Sequence, residues 1–204
     1  MIVSISREYG SGGRLIGQEA AEMLGFPFYD KALISLVAEE TGLTEEYVKK
    51  HQETQSVGWF RDVAFNTERM RAEDYLFVAE KEVIRNLTQE HENLIIVGRS
   101  ADYYLRKNKP HLRVFIYCPR EERIRRLQRY YELGEEGADE RLQKTDRQRA
   151  RYYRSVTGQE WGDPANYDLM INSEIGVLNA ARIIAQAVNS FGEEPEPLDQ
   201  RSKP

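Results

Sequence analysis

Cysteine is nearly absent: Cys118 is the one thiol in 204 residues. An internal disulfide and a zinc site within one chain are therefore excluded. The apolar run 114–118 around it marks a buried strand thiol rather than a nucleophile. Histidine is scarce too. His51, His91 and His111 lie far apart beside no other metal-type residue, so none is assigned a catalytic role and no residue is assigned to a metal. No uninterrupted apolar stretch approaches the roughly 20 residues that cross a bilayer, and residues 1–7 lack the charged start and long apolar centre of a signal peptide. A cytoplasmic protein with no membrane partner is expected. Positive charge is also in deficit. The chain has 29 Lys and Arg against 34 Asp and Glu, a formal charge of -5, which argues against general affinity for nucleic acid. What is present is length enough to bury one substantial core without covalent staples.

That core reads as α/β. Residues 2–5 are a short β-branched run ending at a glycine cluster, after which Ile16, Ala20, Met23 and Leu24 fall three or four apart until Gly25. Strand, glycine turn and helix open a parallel α/β fold. A short second strand is expected over 26–30 with its proline at the entrance. The nearly continuous apolar runs 93–98 and 112–117 read as strands covered on both faces, and 167–172 supplies a fifth. Residues 31–91 read as a mostly helical insertion, with Leu76, Ala79, Val83 and Leu87 on one face. The last helix carries Val177, Ala181, Ile184, Val188 and Phe191 as a core stripe, and 192–204 is too polar and proline-rich to pack. Five strands alternating with helices predict a doubly wound sheet in one domain, 1–191. Its ligands should sit at the carboxyl ends of the strands, after Ile5, Asp30, Val97 and Tyr117.

The turn after the first strand contains Gly10, Ser11, Gly12, Gly13 and Arg14. Glycines there let the backbone curl with its amides inward, and the helix start adds a positive dipole end, so an anion of phosphate size is stabilised. The loop departs from the Walker A pattern. In one register Arg14 takes the lysine place and Leu15 the hydroxyl place; in the other Gly13 falls at the lysine. Arg14 is the nearest cation in both, and its fork of donors differs from a compact ammonium. Further on, eleven Lys and Arg crowd residues 120–154 among interspersed acids. Two readings stay open: a solvated helical face with pairs at helical spacing, or a clamp around phosphates.

Segment 5–14, followed by Gly17, resembles the modified loop of the cytidylate kinase-like branch of the P-loop nucleoside monophosphate kinases. Segments 28–31, 97–99, 122–126, 146–149 and 166–172 agree with it, so the resemblance spans about 1–190. It implies a P-loop NTPase-like three-layer sandwich of about five parallel strands. It further implies ATP and Mg2+ as cofactors, a lid over about 120–155, and phosphoryl transfer to a small acceptor, CMP by family default. By the same resemblance Gly10, Ser11, Gly12, Gly13 and Arg14 face the donor phosphates. Tyr29 and Asp30 frame the acceptor, and Arg99 holds the acceptor phosphate. Arg123 and Arg126 open the lid, and Arg147 and Arg149 reach the transferring group.

Two alternatives stand beside this reading. The missing lysine and hydroxyl suit a nucleotide-binding sensor without efficient catalysis, and a kinase of a non-nucleotide small molecule would change only the acceptor pocket. The helical block 31–91 also offers a face on which a homodimer could form.

Overall fold

The computed structural model describes residues 1–30, 32–46, 48, 72–107, 110–131 and 134–191. The tail expected at 192–204, residues 49–71 of the helical block, and His51 within them lie outside the described residues. Strands β1 (Ile2–Arg7), β2 (Phe28–Tyr29), β3 (Leu94–Val97), β4 (His111–Tyr117) and β5 (Leu169–Asn172) form one parallel sheet in the order β2-β3-β1-β4-β5. Helices α1 (Gly13–Leu24), α2 (Ala32–Thr41), α3 (Ala72–Glu90), α4 (Ala101–Tyr104), α5 (Arg120–Tyr131), α6 (Glu135–Thr157) and α7 (Val177–Asn189) connect and cover it.

Alternation along the strands decides which residues meet which helices. Val3 and Ile5 join Ile16, Ala20, Ala181 and Ile184 beneath α1 and α7. Ile2, Leu94 and Ile96 face the other way, into a cluster with Leu33, Val37, Val83 and Ile84 from α2 and α3. The result is a three-layer α/β sandwich. Phe191 departs from the expected stripe: it lies past the end of α7 and is 42% exposed. Met23, on the outer face of α1, is 43% exposed because Ala20 and Ala21 already take the inward positions. Among the described residues no helix is long and apolar enough to cross a membrane.

Strand order sets the position of the site. The chain starts at the centre, runs out to β2, returns through β3, then crosses to β4, so β1 lies between strands entered from opposite sides. Such a switch point opens a crevice at the carboxyl ends of the strands.

The sheet also buries a histidine. His111 Nδ1 lies 3.1 Å from the Leu105 carbonyl oxygen and Nε2 lies 2.8 Å from Ser4 Oγ. A carbonyl only accepts, so Nδ1 carries the proton and the Ser4 hydroxyl donates to Nε2. Burial lowers His111 to about 4, partly opposed by the Leu105 contact. In the unfolded chain it titrates near 6.5. Stability from the neutral ring is therefore complete above about 6.5 and is lost as pH falls toward 4, where the unfolded chain binds the proton first. The expected loss is about 3 kcal/mol. Denaturant melts at both pH values should show His111→Gln losing much less than wild type; parallel losses would assign the effect to other groups.

Candidate active site

The glycine loop is shaped by its own hydrogen bonds. Gly10 and Gly12 have φ of 77° and 79°, the left-handed region that side chains resist. Ser11 is fully buried, its hydroxyl donating to the Glu8 carbonyl oxygen at 2.9 Å and accepting from Gly13 N at 3.3 Å. That hydroxyl braces the loop. The first hydrogen bond of α1 runs from Ile16 N to the Gly12 carbonyl oxygen at 3.0 Å, so the Arg14 and Leu15 amides lie ahead of any intrahelical partner.

In front of this turn lies a cleft of about 820 Å³. Its walls carry Arg7, Arg14, Arg99, Arg141, Lys144 and Arg149 against two carboxylates, Glu8 and Asp30. Six cations thus face two anions. Asp30 is shared: Arg14 Nε donates to Oδ2 at 2.8 Å and Arg7 Nη2 lies 3.5 Å from Oδ1. Burial lowers Arg7 to about 9, with Arg149 and Arg99 adding to the fall and Asp30 opposing it. Arg149 is lowered chiefly by burial as well; it donates to the Arg7 carbonyl oxygen at 2.8 Å and sits 5.6 Å from the Tyr9 ring centroid. A guanidinium gives up its proton with great reluctance. Such crowding is relieved by an anion.

Arg99 reaches the cleft through an unusual backbone. Gly98, Arg99 and Ser100 have φ of 84°, 58° and 49° in succession, and left-handed residues that carry side chains cost about 1 to 2 kcal/mol each. Behind Arg99, the buried Glu80 carboxylate lies 3.4 Å from its Nη1 and accepts from Tyr152 Oη. Burial raises Glu80 above the usual carboxylate range, against the pull of Arg99. This backbone and carboxylate hold Arg99 at the strand edge.

The structure brings Gly10, Gly12, Gly13, Arg14, Asp30, Arg99 and Arg149 together. It does not bring in the others. Tyr29 Oη meets His91 Nε2 at 2.7 Å, outside the residues lining the cleft. Arg147 is exposed, its Nε bonded to the Gln143 carbonyl oxygen. Arg123 is buried between Asp146 Oδ2 at 2.5 Å and the Tyr9 carbonyl oxygen at 3.3 Å. Arg126 spans from the Ser11 carbonyl oxygen at 2.8 Å to Ser173 Oγ at 3.1 Å. These two arginines brace the loop from outside because they spend their donors on its carbonyl groups. The charged stretch 120–154 therefore divides. Arg125 pairs with Glu122 one turn away and Arg120 bridges to Asp139 on α6, while Arg141, Lys144 and Arg149 line the cleft.

A central parallel sheet with a glycine loop feeding its first helix at the switch point defines the P-loop class of α/β folds. Within that class the chain belongs to the cytidylate kinase-like family, whose profile matches residues 2–175. It is 24% identical over 175 residues to a cytidylate kinase of Methanobrevibacter smithii, covering 85% of this chain and 90% of that relative. The crystal structure of an uncharacterized protein from Eubacterium ventriosum superposes with a TM-score of 0.72 at 24% identity, covering 93% of this chain and 99% of that one. Shikimate kinase from Acinetobacter baumannii, in complex with shikimate, matches with a TM-score of 0.54 at 19% identity over 95% of each chain. The solved structures share the fold at identities too low to carry a substrate across.

Proposed function

We propose that this chain transfers the terminal phosphoryl group of ATP to the phosphate of a nucleoside monophosphate, with CMP the first candidate. The cleft's charge carries the reading. Six cations line the cleft with two carboxylates, and the buried Glu80 answers Arg99 from behind, which leaves an excess of about three positive charges. A magnesium-bound triphosphate and a phosphomonoester each carry about two negative charges, so the pair takes up all of that excess. An acceptor with only hydroxyl groups would leave part of it unanswered.

The chemistry asks mostly for position and charge. The amides at the start of α1 receive the donor phosphates, and Arg99, at the end of β3, receives the acceptor phosphate. Arg149, close enough to Arg7 and Arg99 for the three charges to act on one another, meets charge as it spreads over the moving group. The attacking oxygen is already an anion, so no general base is needed. Asp30 orients Arg14 and Arg7 through its two oxygens.

Magnesium would supply further neutralisation of the phosphate oxygens. Glu8 and Asp30 are the cleft carboxylates that would face it; each already accepts a protein donor, Glu8 from Cys118 N at 2.9 Å. Among the described residues no group of three or more His, Cys, Asp or Glu is set to hold a metal. The residues fit an ion carried in on phosphate rather than a preformed protein cage.

The test is ADP release from ATP and magnesium across CMP, other nucleoside monophosphates and hydroxylated acceptors such as shikimate. Turnover with a monophosphate at least tenfold above any hydroxyl acceptor is expected. Faster turnover of a hydroxyl acceptor would make the chain a small-molecule kinase, and nucleotide binding without ADP release would make it a sensor.

A further inference from the structure

We infer that Arg7, reaching in from the end of β1, is the cation that binds the donor's terminal phosphates in place of the lysine this glycine loop lacks. The inference rests on the phosphoryl-transfer reading and adds to it the residue that replaces the loop's missing charge. Its basis is steric. In the register that puts position 13 at the lysine, that position holds glycine, and a Cβ built on Gly13 would lie 2.6 Å from Arg7 Cβ and 2.9 Å from Arg7 Cγ. The stem of Arg7 thus fills the volume a side chain at position 13 would enter. A lysine there and this arginine are mutually exclusive.

The far end of Arg7 is framed in the same way. A Cβ on Gly98 would come 2.1 Å from Arg7 Nη1. Two glycines, Gly13 at the start of α1 and Gly98 after β3, leave the channel through which Arg7 passes. Its charge is poorly answered within the protein, since Asp30 lies 3.5 Å away and is shared with Arg14 at 2.8 Å. Arg14, the cation the sequence points to, is 50% exposed and spends its Nε on Asp30. Arg7 is 21% exposed, with Arg149 bonded to its own carbonyl oxygen. The better-buried, less-neutralised cation is the one set to take phosphate.

Arg7→Met keeps an apolar stem against Gly13 and removes the charge. ATP affinity measured by titration should fall about tenfold to a hundredfold, the loss of a hydrogen bond to a charged group. The ATP-free melting temperature should hold or rise, because Arg7 no longer crowds Arg149 and Arg99. A purely structural Arg7 would lower it instead. Arg14→Met should cost a smaller factor. The double variant Arg7→Gly with Gly13→Lys rebuilds the lysine in the vacated space and should recover most of the affinity lost by Arg7→Gly alone.

Unchanged ATP affinity in folded Arg7→Met overturns the inference and leaves the phosphate site standing. Failure of the wild type to bind ATP overturns both. If Arg7→Met does not fold, the double variant decides: ATP affinity near wild type supports the exchange of one cation for the other, and its absence overturns it.

Discussion

Replacing Arg149 with methionine is expected to lower kcat by about a thousandfold, the lower end of the range for an arginine that stabilises phosphoryl-transfer charge, while ATP affinity changes by less than about fivefold. Arg149 projects from α6, the second helix of a pair that carries its own small apolar cluster of Ile124, Leu127, Ala138 and Leu142, with Tyr9 packed against it. Its guanidinium enters the cleft beside Arg7 and Arg99, where a third positive charge is unwelcome until negative charge spreads over a moving phosphoryl group. Interactions of that kind act on the transition state more than on the bound ground state. The contrast is Arg147→Met, which should leave both quantities near wild type because Arg147 is exposed and bonded to the Gln143 carbonyl oxygen. Single-turnover kinetics beside ATP titration separate the cases. A parallel fall in affinity and turnover for Arg149→Met would make it an ordinary binding residue.

The resemblance sent both Arg147 and Arg149 to the transferring group, and helix geometry could have separated them. Two residues apart on a helix means about 200° around its axis, so one of the pair had to face away. The spacing of Arg141, Lys144, Gln148 and Tyr152 marks the face that lines the cleft. Continuous apolar runs announced β3 and β4 almost to their ends, because a strand covered on both faces leaves little room for polar residues. The two-residue β2 was legible from its aromatic run and proline rather than from a period, whereas the four-residue α4 carries too few positions for any period to show. Arg123 and Arg126 lie outside the cleft for a different reason. Arginine suits phosphate and backbone carbonyl groups alike, and only coordinates show that Arg126 takes the Ser11 carbonyl oxygen. Arg7 was hidden by the pleat: as the last residue of β1 it falls on the α1 side, and the one signal for it was the glycine at 13.

Gly98→Ala is expected to cost more in ligand binding than in stability, and the reason lies in what its methyl group would strike. The residue's φ of 84° is unfavourable for alanine, which accounts for about 1 to 2 kcal/mol of lost stability. The added Cβ would also lie 2.1 Å from Arg7 Nη1. That atom ends a long flexible side chain, so the guanidinium swings aside and the strands stay put. Folding then loses little beyond the backbone strain, but a cation leaves the centre of the cleft, and ATP affinity should drop about a hundredfold if Arg7 contributes at the upper end of a charged hydrogen bond. Making the same change in an Arg7→Gly background removes the collision and leaves the strain. The two substitutions should therefore fall short of additivity for ATP binding by about 1 to 3 kcal/mol, as expected for residues in contact, while remaining nearly additive for stability. Thermal melts with and without ATP on the four proteins of this cycle give both quantities. Full additivity in binding would mean that Gly98 and Arg7 act separately, and that the close approach of Arg7 to Gly98 has no part in holding the donor.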